Sequence, residues 1–319
     1  MKKFISLLLV LSLVFCFEAC GDNTQNEEIT EDATDNIGSV ENDISKTTEE
    51  ISSVEVGEYK IPSESDFYWE DVEGGVVITE YTGTEKYIEI PSELDGKDVK
   101  EIGPKSFQNS EIITIKFPNT IEIIGDKSFQ RCEDLKEVVF SENIITIGEQ
   151  AFEYCISLSE ITIPDKTVAI GKNAFQNCKS LTTLVISDSV NEIGNMAFCA
   201  CSSLVEVTLS NNISCIGEYA FAYCSSLETI NIPDNVSEIV KGAFVECTSL
   251  SNITLNNVTT IGDGAFYGCK SLVSATFSEN TININETAFS KCENVVIYAP
   301  AGSYAETYAK DNGVEFKAS

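Results

Sequence analysis

Residues 147–164 read Ile-Gly-Glu-Gln-Ala-Phe-Glu-Tyr-Cys-Ile-Ser-Leu-Ser-Glu-Ile-Thr-Ile-Pro, and most of the chain is a set of variations on that string. Its Phe152 recurs as Phe107, Phe129, Phe175, Phe198, Phe221, Phe244, Phe266 and Phe289, at intervals of 22 or 23 residues. An Ile stands five residues before every one of them, from Ile102 to Ile284, and a Gly follows that Ile except where Val240 and Asn285 replace it. Ala or Ser precedes each Phe. Three residues after it comes Cys132, Cys155, Cys178, Cys201, Cys224, Cys247, Cys269 or Cys292, with Ser110 in the first copy, and three residues after each Cys stands a Leu, from Leu135 to Leu272, or finally Val295.

Self-similarity at such a period is the signature of a solenoid, because one short coil cannot bury its own apolar face and neighbours must cover it. From the Leu onward the alternation Leu158-x-x-Ile161-x-Ile163 reads as a short strand with one buried face, closed by Pro164 or Pro233. Equivalent strands then stack in parallel about 4.8 Å apart. The Ala-Phe segment is too short for an independent helix and reads as a single helical turn with Phe inward. A Val at position 240 argues that the Gly column serves close packing rather than a left-handed backbone.

These residues carry a resemblance to the BspA-type leucine-rich repeat, a bacterial surface variety with Phe and Cys at fixed places, over roughly Ile102 to Pro300. It implies an α/β repeat solenoid: about nine coils of 22–23 residues, short parallel strands on one wall, single helical turns on the other, an N-terminal β cap and a short C-terminal helix. The expected partition is a signal peptide over 1–19, an acidic disordered tether over 20–58, the β cap over 59–101, the solenoid over 102–300 and a C-terminal cap over 301–319. The cap contains a hairpin about Gly74-Gly75. At the far end Ser303-Tyr304-Ala305-Glu306 reads as a capping box, with a stop near Asn312-Gly313.

The first residues read as a secretory signal: Lys2 and Lys3 precede an apolar run from Phe4 to Phe17 that is shorter than a bilayer span. The stretch resembles a bacterial lipoprotein signal, and Ala19-Cys20-Gly21 makes Cys20 the expected lipid attachment. Cys16, behind Leu13-Val14-Phe15, is the competing cysteine, and ordinary signal-peptidase cleavage is the alternative. Between Gly21 and Glu58 lie 12 acidic residues, one lysine and no aromatic residue. Such a segment repels itself and buries too little to order, so an extended tether is expected. The expected location is the bacterial cell surface, with the membrane reached only through the lipid.

A formal charge of −31 opposes binding to nucleic acid, whose phosphates attract Lys and Arg. The absence of histidine removes imidazole-based triads, general bases and metal sites. No catalytic residue, cofactor or metal is expected. The Cys column reads as a buried ladder of reduced thiols, since side chains stacked in parallel hold their Cβ atoms too far apart for disulfides. Cys199 and Cys215 stand outside the ladder, and their pairing is left open.

The outward strand positions form two columns, and these are the candidate binding face: Glu137, Glu160, Thr162, Thr183, Glu206, Thr208, Thr229, Asn231, Asn252, Thr254 and Thr276, interleaved with Val139, Val185 and Ser274. The face has no lysine. Tyr154, Tyr219, Tyr223 and Tyr267 stand beside the thiol ladder. Two classes of function follow. The first is a non-catalytic surface adhesin for an extracellular protein, such as host matrix or another cell's surface, as the resemblance implies. The second is a glycan-binding accessory protein, distinguished by whether exposed aromatics cluster.

Overall fold

In the computed structural model, which describes residues 58–319, each repeat makes one circuit of two short strands and a run of tight turns. The signal segment, Cys16, Cys20 and the expected tether up to Gly57 lie outside the described residues. The Leu-x-x-Ile stretches form the first ladder. Glu160–Thr162, Thr183–Val185, Glu206–Thr208 and Thr229–Ile230 pair in parallel, with Glu160 opposite Thr183, Thr183 opposite Glu206, and Glu206 opposite Thr229. Tyr87–Glu89, Thr114–Lys116 and Glu137–Val139 pair before them, and Asn252–Leu255, Ser274–Phe277, Val296–Ala299 and Glu315–Ala318 after them. The ladder therefore has about 11 rungs, not nine, because Tyr87–Glu89 and Glu315–Ala318 extend it beyond the Phe-bearing repeats.

The Ile preceding each Gly belongs to a second ladder that the sequence reading missed. Its rungs, such as Thr146–Ile147, Ala169–Ile170 and Glu192–Ile193, are only two residues long and pair in parallel. That ladder begins at the hairpin of Phe67–Val72 with Gly75–Tyr81, whose second strand pairs in parallel with Lys97–Ile102.

The expected helical turn around Ala-Phe is a correction. Those segments are turns, and the fold is a β-solenoid whose one α-helix among the described residues is Tyr304–Asn312. The backbone explains the change: residues two before and two after the Phe are left-handed, as in Lys127 (φ 59°) and Arg131 (φ 60°), or Gln150 (φ 56°) and Tyr154 (φ 60°). A right-handed helix cannot contain two such residues four apart. Their cost is met by bonds into the next coil: Phe129 N donates to Ala151 O at 2.8 Å, and Arg131 N to Glu153 O at 2.7 Å.

The core is an aromatic column. Phe129, Phe152, Phe175, Phe198 and Phe221 are wholly buried, and their rings stack within 7° of parallel at centroid spacings of 5.1–5.5 Å. Tyr81 extends the column over Phe107 at 5.0 Å, and Tyr308 of the C-terminal helix closes it edge-on against Phe289 at 6.2 Å. The helix begins at Ser303 as expected, its Oγ accepting from Glu306 N at 3.3 Å, but the capping box is half made, since the Glu306 carboxylate accepts from Gly302 N at 2.6 Å rather than from Ser303; Gly313 ends the helix at φ 69°.

Close approach explains the Gly column. A Cβ on Gly194 would lie 2.7 Å from the backbone of Gly171 and Lys172, and Gly194 N donates to Ile170 O at 2.9 Å. Where Val240 takes the place of Gly, both ladders part. The second stops at Cys215–Ile216 and resumes with Glu238–Ile239; the first stops at Thr229–Ile230 and resumes with Asn252–Leu255. The Phe221–Phe244 spacing, 5.8 Å, is the widest in the stacked column. Asn285, the other exception, is accommodated because its amide oxygen folds back onto Thr287, accepting from that residue's N at 3.0 Å and Oγ1 at 2.7 Å.

Candidate binding faces

The first ladder sets the candidate face in register. Glu137, Glu160, Thr162, Thr183, Glu206, Thr208, Thr229, Asn231, Asn252 and Thr254 are exposed; Thr276 is half-buried. Parallel pairing aligns Thr162 with Val185, Val185 with Thr208, and Thr254 with Thr276. Two residues that the sequence reading missed continue the second column, since Thr276 lies opposite Tyr298 and Tyr298 opposite Lys317. Their signal was the alternation in Val296-Ile297-Tyr298-Ala299, read then only as the end of a repeat. Lys317 Nζ stands 5.9 Å over the Tyr298 ring, so a cation flanks the lysine-free stretch.

Pairing lapses between Glu137–Val139 and Glu160–Thr162. There an open groove of about 610 Å³ crosses the face. Val139, Phe140 and Ile161 line its floor, and Glu137, Glu142, Glu160 and Asp165 lie along it with Lys166. Lys166 Nζ is engaged, donating to Asn143 Oδ1 at 2.6 Å. Phe140 is stacked on Phe117 at 5.9 Å, beside the point where the rungs separate.

The thiol ladder is buried and engaged with backbone. Each ladder thiol donates to the Phe carbonyl of the preceding coil: Cys155 Sγ to Phe129 O, Cys178 Sγ to Phe152 O and Cys201 Sγ to Phe175 O, all at 3.3 Å. No disulfide joins Cys199 and Cys215. Burial holds the thiols of Cys155, Cys178, Cys201 and Cys224 well above the ordinary range. At the end of the ladder Cys292 differs: it is half-buried, and a hydrogen bond from Cys269 lowers its thiol pKa. The thiolate is the reactive form. Brief alkylation of the native protein at pH 8, read by peptide mass spectrometry, is expected to label Cys292 ahead of the other ladder thiols and leave those four unlabelled until denaturant is added. Equal labelling of Cys178 and Cys292 would show the ladder to be open. Among the described residues no cluster of three or more Cys, Asp or Glu is placed to hold a metal.

The turn side presents the tyrosines. Arg131 lies 5.0 Å over the ring of Tyr154, Lys241 5.9 Å over Tyr219, and Lys291 4.7 Å over Tyr267. Tyr223 is 49% exposed. Burial raises its hydroxyl pKa first, followed by Cys199, Glu246, Tyr219 and Tyr267, all near enough to act on it. Tyr219 and Tyr223 thus stand on one coil, Tyr267 two coils further on, and Tyr154 apart from them.

No helix among the described residues is long and apolar enough to cross a membrane. No curated protein matches the chain. Among solved structures it is similar to a leucine-rich repeat protein of T. pallidum, at 27% identity over 67% of this chain and 91% of that one, with a TM-score of 0.49. It is also similar to a leucine-rich cell surface protein of Faecalibacterium prausnitzii, at 21% identity over 79% and 97% of the chains, with a TM-score of 0.42. A third likeness is to the pneumococcal vaccine antigen PcpA, at 20% identity over 73% and 78%, with a TM-score of 0.44. The family model for the BspA-type leucine-rich repeat region matches residues 100–195 and 168–296, the same span in which the Phe, Cys and Gly columns run in register. The chain belongs to the BspA-type leucine-rich repeat family.

Proposed function

We propose that this protein is a non-catalytic binding protein displayed on the bacterial cell surface, held by a lipid on Cys20 and an acidic tether, and that the first ladder meets an extracellular protein. The observation that carries the reading is the exposed face from Glu137 to Thr276 itself. Exposed hydroxyl, amide and carboxylate side chains stand in two registered columns, crossed by a groove with an apolar floor and four carboxylates. An extended solenoid face of this kind suits a macromolecular partner. Its charge favours a partner segment bearing Lys or Arg beside apolar residues, because complementary charge speeds encounter and rejects wrong partners.

The test changes Thr162, Thr208 and Thr254 together to Lys. All three are exposed, so circular dichroism and the melting temperature are expected to stay close to wild type. Binding to a matrix protein retained by the wild-type chain is expected to fall at least about tenfold, through new bulk and like-charge contact with a basic partner. Unchanged binding would exclude this face. Replacement of Cys20 by Ala is expected to release the folded protein from cells, and full membrane retention would refute the anchor.

A further inference from the structure

Two residues after the column Phe, four successive coils place Ala200, Tyr223, Glu246 and Gly268 side by side on the turn side, the first three with left-handed φ of 60°, 60° and 54° and Gly268 with 74°. The small residues matter. A Cβ on Gly268 would sit 2.5 Å from a Glu246 carboxylate oxygen, so glycine lets that carboxylate lie against the backbone, where Lys270 Nζ holds it at 3.9 Å. A Cβ on Gly242 would likewise collide with the Tyr219 ring, which rests on that bare backbone. Tyr219 and Tyr267 are each covered by a lysine. Tyr223 has neither a stacked ring nor a cation among the described residues, and half its surface faces solvent.

We propose that Tyr223, with Glu246 beside it in the next coil and Tyr219 on its own coil, is a binding site for a neutral hexopyranose unit of an extracellular glycan. The C–H face of a pyranose presents the weakly positive edge that the negative face of an aromatic ring attracts, and a tyrosine ring offers that face with little entropy to lose. The hydroxyls around the sugar need hydrogen-bond partners at the rim. The Glu246 carboxylate accepts, and the phenol of Tyr219 does both.

A protein partner fits this patch poorly. Stable protein interfaces bury about 800 Å² on each side around an apolar centre, whereas a single aromatic side chain supplies about 200 Å². Tyr223 is the one large apolar side chain exposed on the turn side among the described residues; the other exposed apolar residues lie on the ladders, immediately before a rung, in the N-terminal segment or on the C-terminal helix. An anionic glycan is disfavoured by the chain's formal charge of −31. The site lies on a different side from the first ladder and does not rest on the role proposed for that ladder.

The experiment titrates the full chain, carrying 13C-labelled tyrosine, with soluble neutral hexasaccharides: β-1,4-linked and β-1,3-linked glucose, β-1,4-linked N-acetylglucosamine and β-1,4-linked mannose. At least one is expected to shift the Tyr219 and Tyr223 ring signals saturably, with a Kd of about 1 mM or tighter. Tyr223→Ala is expected to weaken that binding at least about tenfold with an unchanged melting temperature, Tyr223→Phe to stay within about threefold, and Glu246→Gln to fall between them. Tyr304→Ala, at a comparably exposed tyrosine on the C-terminal helix, is expected to bind as wild type. Failure of every hexasaccharide to saturate by about 10 mM, or wild-type affinity in Tyr223→Ala, overturns the proposal. A protein ligand that is lost on Tyr223→Ala while no saccharide binds would also overturn it, marking the patch as a protein interface.

Discussion

Phe175→Ala is expected to destabilise the protein by about 3–5 kcal/mol. The ring is wholly buried, with Phe152 at 5.2 Å on one side and Phe198 at 5.3 Å on the other. Truncation removes a buried aromatic and leaves a cavity that cannot collapse, because the coils on both sides are held by the Cys178 and Cys201 thiol bonds and by backbone bonds from Phe152 N and Phe175 N. The defect also severs contact between the stacks on either side, and a solenoid owes its stability to such nearest-neighbour contacts. Equilibrium denaturation in urea measures the change. A loss below about 1 kcal/mol would mean that the column is not the main source of cohesion.

Gly194→Val is expected to cost about 3 kcal/mol, at the upper end of overpacking effects. The obstacle is backbone on three counts: Gly171 C and Lys172 N at 2.7 Å and Ile170 O at 2.8 Å from the added Cβ. No rotamer relieves such a contact, so the coil must move away and the Gly194 N to Ile170 O bond at 2.9 Å must lengthen. Hydrogen exchange is expected to become faster at the Gly194 amide and its neighbours, with a matching fall in the urea midpoint. Unaltered exchange and midpoint would show that the coils have slack. Val240 is the native counterpart, and it sits where both ladders are interrupted.

Periodicity made the coil and its core legible in the sequence. Phe, Leu and Cys recur because every coil meets the same neighbours, so burial at one position implies burial at all of them. The tight packing of the Gly column was legible for a different reason: Val240 excluded the conformational explanation and left the steric one. Two features escaped. The turns around Ala-Phe were read as helical because propensity cannot reveal that Tyr154, Met196 and Tyr223, all unfavourable in the left-handed region, are held there by bonds they donate to carbonyls of the following coil. The second ladder escaped because a two-residue rung such as Ala169–Ile170 shows no alternation. As for the candidate faces, the exposed columns followed from alternation, whereas the groove depends on a lapse of pairing between Glu137–Val139 and Glu160–Thr162 that a one-dimensional pattern does not register. The tyrosines were visible only as spacing, and the bare backbone beneath Tyr219 and Glu246 needed coordinates.

The seam at Val240 bears on load. A protein tethered at one end and gripping a partner elsewhere is pulled along its stack, and a series of links fails at its weakest member. Between the coils of Phe221 and Phe244 the rungs of both ladders are missing, so tension there falls on the bonds that remain, such as Phe221 N to Ala243 O at 2.9 Å and Tyr223 N to Val245 O at 2.7 Å on the turn side and Ser251 N to Glu228 O at 3.2 Å beside the first ladder. A partner seated on the coils before the seam would leave it unstressed. One seated on the coils beyond would route the whole pull through those few bonds, making one valine the fuse of the assembly.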